Sequence, residues 1–315
     1  MTPAPFDPRA YPAIADAHIR SAGTNADWAR VTRTAVDASF AGAETPGAII
    51  AAGRTLLADP GWIEPLLAPM IDALRGDPWF APGFRVNRDV LRTGIILSDC
   101  AQATVSVTVT DAVALAQLQR PGTVVIAGRW SITRYVRGGQ ALMQRWRARA
   151  LEPGFSAGTA QPARPLATRA LHDGDILVQS PREGHLIVAA RSDIVALTVT
   201  AKRGAAPLMC EYATGDGAFV RTACGDERTA RAELLLAFLR ASGRCDAAPR
   251  FEQESRHPAF HQRWSAMREW LMLDARAARP RLAEMADSDP NAEVRAAAAA
   301  TLARLDPMLA PPCPA

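Results

Sequence analysis

Gly174-Asp175-Ile176-Leu177-Val178-Gln179-Ser180-Pro181-Arg182-Glu183-Gly184-His185 is the stretch whose reading decides the fold. Gly174-Asp175 is a turn that opens an apolar, β-branched run. Pro181 and Gly184 punctuate it, and Leu186 to Ala190 begins a second run. Short apolar runs divided by glycine and proline read as strands and turns, because glycine supplies unusual backbone angles and proline cannot continue a ladder. The run Ile194 to Thr200 follows with period-two alternation, which places one set of side chains on each face of a sheet.

The same character extends upstream. Ile95 to Leu97, Thr104 to Thr110, Thr123 to Ile126, Trp130 to Val136 and Ala141 to Trp146 are rich in β-branched and aromatic residues, so a barrel is predicted over roughly 83–225. Val90-Leu91 is read with this series, and Glu152–Pro165 as a loop. Before it, residues 11–75 have helical spacing, after a proline-rich arm over 1–10. One helix is expected to be capped at Thr24 or Asn25 with Trp28 and Val31 on its face. A second starts at Pro46, and a third follows the Asp59-Pro60 cap. After the barrel, Glu227 to Ala241 carries Leu234, Leu235, Phe238 and Leu239. A helix near Phe260–Leu273 and a pair over Arg276–Met285 and Ala292–Leu305 complete the chain. The expected organisation is α+β: an N-terminal helical unit over 1–82, the barrel over 83–225 and a C-terminal helical unit over 226–315.

The motif from Gly174 to His185, with the strand Gly128-Arg129-Trp130-Ser131-Ile132-Thr133-Arg134-Tyr135, resembles the cupin superfamily, and within it the cysteine-dioxygenase-like branch. The resemblance covers 88–203, about a third of the chain. It implies a β-barrel with a pocket and a mononuclear iron held by three histidines. His185 falls within one position of the third. The first pair, His-x-His, should lie near Ala114–Gln119, where the chain reads Ala-Leu-Ala-Gln-Leu-Gln. Residues 276–305, hinged at Asp287 to Asn291, resemble a HEAT-type repeat, with Val294, Ala298 and Leu302 on the packing face.

One histidine does not hold iron or zinc against water, so no cofactor is expected. On the strand 129–135, Arg129, Ser131, Thr133 and Tyr135 form one face and Trp130, Ile132 and Arg134 the other. The first face, with His185 and Gln117, is the expected ligand site. An arginine fork with tyrosine and histidine suits a carboxylate. The predicted function is non-catalytic: binding of a small anionic ligand in the barrel, or of a protein partner on the C-terminal helices, in a regulatory or adaptor role; a homodimer is a separate expectation. The alternative is an iron dioxygenase whose ligands are His172, His185 and Asp175 or Glu183.

Composition narrows the field further. A net charge of +4, with Lys202 the single lysine and the arginines interleaved with acids, argues against a nucleic-acid face. No apolar run approaches the roughly 20 residues of a membrane span, and the start of the chain does not read as a secretory signal. Five scattered cysteines without a CxxC pair predict reduced thiols and a cytoplasmic protein. His257 and His261 have metal-pair spacing without a glutamate between them and read as helix-flanking. Cys210-Glu211 has no activating histidine near it in sequence, and Gly215-Asp216-Gly217 reads as a turn.

Overall fold

The β-branched runs pair as their alternation requires. The computed structural model describes residues 11–118, 121–150, 155–206, 208–225 and 227–309. The arm expected over 1–10, Gln119 and the start of the loop expected from Glu152 lie outside them. In chain order the helices are α1 (Tyr11–Trp28), α2 (Thr34–Ala38), α3 (Pro46–Ala58), α4 (Ile63–Gly76), α5 (Ala112–Gln117), α6 (Glu227–Ala241), α7 (Ala248–Glu254), α8 (Phe260–Leu273), α9 (Ala275–Ser288) and α10 (Ala292–Leu309). The strands are β1 (Arg85–Arg88), β2 (Arg92–Asp99), β3 (Ala103–Thr110), β4 (Thr123–Ile126), β5 (Ser131–Arg137), β6 (Leu142–Arg147), β7 (Arg164–Ala170), β8 (Ile176–Gln179), β9 (Glu183–Ala189), β10 (Ile194–Ala201), β11 (Leu208–Ala213) and β12 (Phe219–Cys224).

The chain divides into two compact units. The first comprises residues up to Arg120, Arg129–Arg145 and Leu166–Ala205. It is built on an antiparallel six-stranded sheet in the order β1-β2-β3-β10-β5-β8. Period two sorts its central strands. Ile132, Leu197 and Val199 are buried against Phe40, Ile49, Leu57 and Leu66 of the N-terminal helices and their connections. Tyr135 faces the other way, into a core with Met143, Leu171 and Ile187. Those residues bring in β6 and β9 of the three-stranded sheet β7-β6-β9. The large sheet is therefore covered on both faces.

α3 is seated by local chemistry. Thr45 accepts the Ala48 N–H at its start, with Pro46 in the first turn. At its end Arg134 donates to the Leu57 and Ala58 carbonyls, which no helical N–H reaches. Gly53 lets it approach the sheet: a Cβ there would lie 2.9 Å from Ile132 Cγ2. The expected cap at Thr24 or Asn25 is corrected, because both lie inside α1. The Asn25 side chain instead bonds the Ala81 carbonyl and the Gly83 N–H. Val90-Leu91 is a turn between β1 and β2, since Asp89 accepts from the Leu91 and Arg92 N–H groups.

The second unit comprises Pro121–Gly128, Trp146–Pro165 and Ala206 onward. It contains the sheet β12-β11-β4 and a helical core of Phe251, Met267, Trp270, Leu282, Met285, Val294 and Ala298. Asn291 caps α10 by accepting from the Glu293 and Val294 N–H groups. On α6, Leu234, Leu235 and Phe238 are 72%, 57% and 65% exposed. Leu236 fills the core position instead. Cys210 lies within β11, and β4 pairs with β11 instead of joining the six-stranded sheet. Among the described residues no helix is long and apolar enough to cross a membrane.

Candidate ligand-binding site

A cavity of about 230 Å³ lies in the first unit, lined by residues of α3, β5, β6, β7, β8 and β9. Alternation on β5 delivers Thr133 and Tyr135 to it on one face, and β9 delivers His185. Arg54, Met143, Arg145, Arg169, Gln179 and Glu183 join them. Three arginines thus face one carboxylate within one small cavity.

Two of the arginines have internal partners. Arg145 lies 3.5 Å from the buried Glu183 carboxylate, and Arg169 lies 3.6 Å from Asp175. Arg54 makes no ion pair with any described residue. Arg54 is exposed, so solvent and salt screen its field, and its guanidinium is free to donate to an anion that enters the cavity. Thr133 shares its hydroxyl with that of Thr198 at 3.0 Å. Burial pushes the Tyr135 hydroxyl up to about 12, against the opposing pull of Arg92, Arg169 and Arg145. It stays protonated and available to donate.

His185 is held by a short relay. Gln179 Nε2 donates to the Glu183 backbone carbonyl at 2.9 Å, and Gln179 Oε1 lies 2.6 Å from His185 Nδ1. A carbonyl oxygen only accepts, so the amide orientation is fixed and Nδ1 must carry the proton. Burial lowers the His185 pKa to about 4, helped by the positive charge of Arg92 and Arg145. The ring keeps partial accessibility because it borders the cavity. The imidazole is neutral at pH 7, with Nε2 as an acceptor.

This carries a consequence for stability. The unfolded chain binds a proton at His185 below the ordinary imidazole value of 6.5, and the folded chain does so only below about 4. Stability therefore falls as pH drops through that window and levels off below it. Discounted for partial accessibility, the effect is about 2 kcal/mol. Urea unfolding at pH 7 and pH 4.5 checks it: the loss should shrink by that amount in His185→Phe. An unchanged pH dependence in the variant would refute the burial of a neutral imidazole.

Other expected residues are elsewhere. Arg129 lies in the bend before β5, outside the cavity lining, because the strand begins only at Ser131. Gln117 is exposed at the end of α5. In the segment expected to carry the first ligand pair, Ala114–Gln117 belongs to α5, since Asp111 accepts from the Val113 and Ala114 N–H groups and alanine and leucine favour that state. His172 is 75% exposed, 3.8 Å from Asp175, and neither lines the cavity. The ligand set proposed for iron, His172 and His185 with Asp175 or Glu183, is therefore not gathered. Among the described residues no group of three His, Cys, Asp or Glu side chains is placed to hold a metal. His185 and Glu183 in the lining do not fit a mononuclear iron centre.

His257 Nδ1 accepts the Ala259 N–H ahead of α8, the helix-flanking role expected of it. Cys210 is buried, and burial pushes its thiol up, the opposite of activation. Sequence reasoning missed Arg54, Arg145, Arg169 and Gln179. Only Gln179 had a signal available, its place within the motif.

No family model matches the chain, and no curated protein matches it. Solved structures similar to parts of it include the capsular polysaccharide assembling protein CapF from Staphylococcus aureus, at 10% identity and TM-score 0.27, covering 45% of this chain and 34% of that one. KdgF from Halomonas sp. is 14% identical at TM-score 0.25, covering 38% of this chain and 87% of that one. Ectoine synthase from P. lautus is 13% identical at TM-score 0.22, covering 38% and 71%. The chain spans about a third of the CapF length.

Proposed function

We propose that the first unit is a cupin-type barrel without a resident metal, and that its cavity binds a small anionic molecule without transforming it. The observation that carries this reading is the lining itself: Arg54, Arg145 and Arg169 against the single carboxylate of Glu183. The turn motif supports the barrel assignment, since it bridges β8 and β9 and seats His185 on the cavity. At about 230 Å³ the space is below the roughly 300–1,000 Å³ of sites for drug-sized ligands, which suits a metabolite-sized acid.

Titration calorimetry at low salt with succinate and citrate tests the reading, with glucose as a neutral control. The acids should bind and glucose should not. An Arg54→Ala/Arg169→Ala double variant removes two guanidiniums without exposing the buried Glu183 and should weaken binding at least tenfold. Acids that fail to bind, or bind the double variant equally well, would refute it. The protein-partner alternative, with its regulatory role, is favoured by one observation, the exposure of Leu234, Leu235 and Phe238 on α6, an apolar grouping of the kind that marks contact faces.

A further inference from the structure

We propose that the ligand of this cavity is a hydroxy acid, with its carboxylate held by Arg54 and Arg169 and a neighbouring hydroxyl donating to His185 Nε2. The proposal rests on the anion-binding reading and narrows it from charge to chemical class. It follows from which hydrogen-bonding groups the protein has already used. Arginine offers donors only. Gln179 has its amide engaged at both ends, by the Glu183 carbonyl and by His185. Thr133 is occupied with Thr198, and Glu183 faces Arg145.

His185 Nε2 is different. Gln179 fixes the proton on Nδ1, so Nε2 can only accept, and no described residue donates to it. A ligand made of carboxylates alone places acceptors beside that lone pair and leaves it without a donor. Burying an unsatisfied acceptor is disfavoured, and sites built to bond a hydroxyl reject analogues that lack it. A hydroxyl next to the carboxylate satisfies Nε2 and lets the carboxylate reach the arginines. Gln179 is then a positioning residue: its amide is engaged at both ends, and it sets which ring nitrogen accepts.

Matched acids test this: malate against succinate, and citrate against tricarballylate, by titration calorimetry at pH 7. The hydroxylated member of each pair should bind about tenfold to a hundredfold more tightly. In His185→Phe the preference should collapse to less than twofold. Gln179→Leu, which retains the ring, should shrink the preference and shift the His185 imidazole ¹⁵N resonances away from the Nδ1-protonated pattern. The Arg54→Ala/Arg169→Ala variant should weaken both members equally and keep the preference. Equal binding of the pairs to the unmodified protein, or a preference that survives in His185→Phe, overturns the proposal and leaves anion binding intact. Failure of all four acids to bind overturns both.

Discussion

Asp289→Ala is expected to destabilise the second unit by about 3–5 kcal/mol. The Asp289 and Arg263 side chains are 1% and 8% exposed. Arg263 donates from Nε and Nη2 to the two carboxylate oxygens at 2.8 and 2.6 Å. Its Nη1 donates to the His257 and Pro258 carbonyls, and Asp289 also accepts the Asn291 N–H. The pair thus ties α8 to the hinge between α9 and α10. Burial alone would raise the Asp289 pKa, but the bonds from Arg263 and the Asn291 N–H outweigh it and hold the carboxyl below its ordinary value. A depressed carboxylate contributes stability above its unfolded pKa, and that contribution is lost as pH falls through the folded one. Removing the carboxylate strands a guanidinium in the core. Asp289→Asn keeps an acceptor and should cost less. Urea unfolding followed by tryptophan fluorescence, with Trp264 and Trp270 as reporters in α8, measures both; a loss below 1 kcal/mol for Asp289→Ala would show that the pair is dispensable.

Gly139→Ala should cost on the order of 3 kcal/mol, from left-handed strain together with a backbone clash. Gly139 has φ +62°, where glycine is free of the penalty a side chain brings. A Cβ at this position would lie 2.3 Å from the Ser192 carbonyl oxygen and 2.9 Å from Ile194 Cγ1. The turn cannot simply move away, because the Gly139 carbonyl accepts from the Arg191 and Ser192 N–H groups at 2.8 and 3.3 Å. It joins β5, which brings Thr133 and Tyr135 to the cavity, to β6, which brings Met143 and Arg145. Loosening it should therefore weaken acid binding as well as lower the melting temperature. A variant as stable as the unmodified protein would mean that the corner relaxes at little cost.

The sequence by itself determined the elements whose signals are local. Pro46, Asp59-Pro60 and Asn291 mark helix starts because a cap is made within three residues of the side chain that forms it. The alternation in β3, β5 and β10 fixes which side chains share a face, so it was legible that Thr133 and Tyr135 point the same way and Ile132 the other. His185 was legible from its place after the Pro181–Gly184 turn. Gln117 and Arg129 lie outside the cavity lining for a local reason too: a six-residue helix capped by Asp111 and a strand starting two residues late outweighed the spacing carried over from the resemblance.

Tertiary structure alone decided the rest. Arg54, Arg145 and Arg169 stand on a helix and two strands far apart in sequence, and nothing in the spacing of 36 basic residues singles them out. Their convergence depends on Gly53 admitting α3 to the sheet and on the Gly139 corner folding β6 over β5. The same holds for the Gln179 relay, in which a glutamine in a strand becomes the residue that sets a histidine's tautomer. Its partner is a backbone carbonyl, and no side-chain pattern reports where a carbonyl points. Charge and hydrogen-bonding capacity are written along the chain; which of them share one cavity is set by packing between residues distant in sequence.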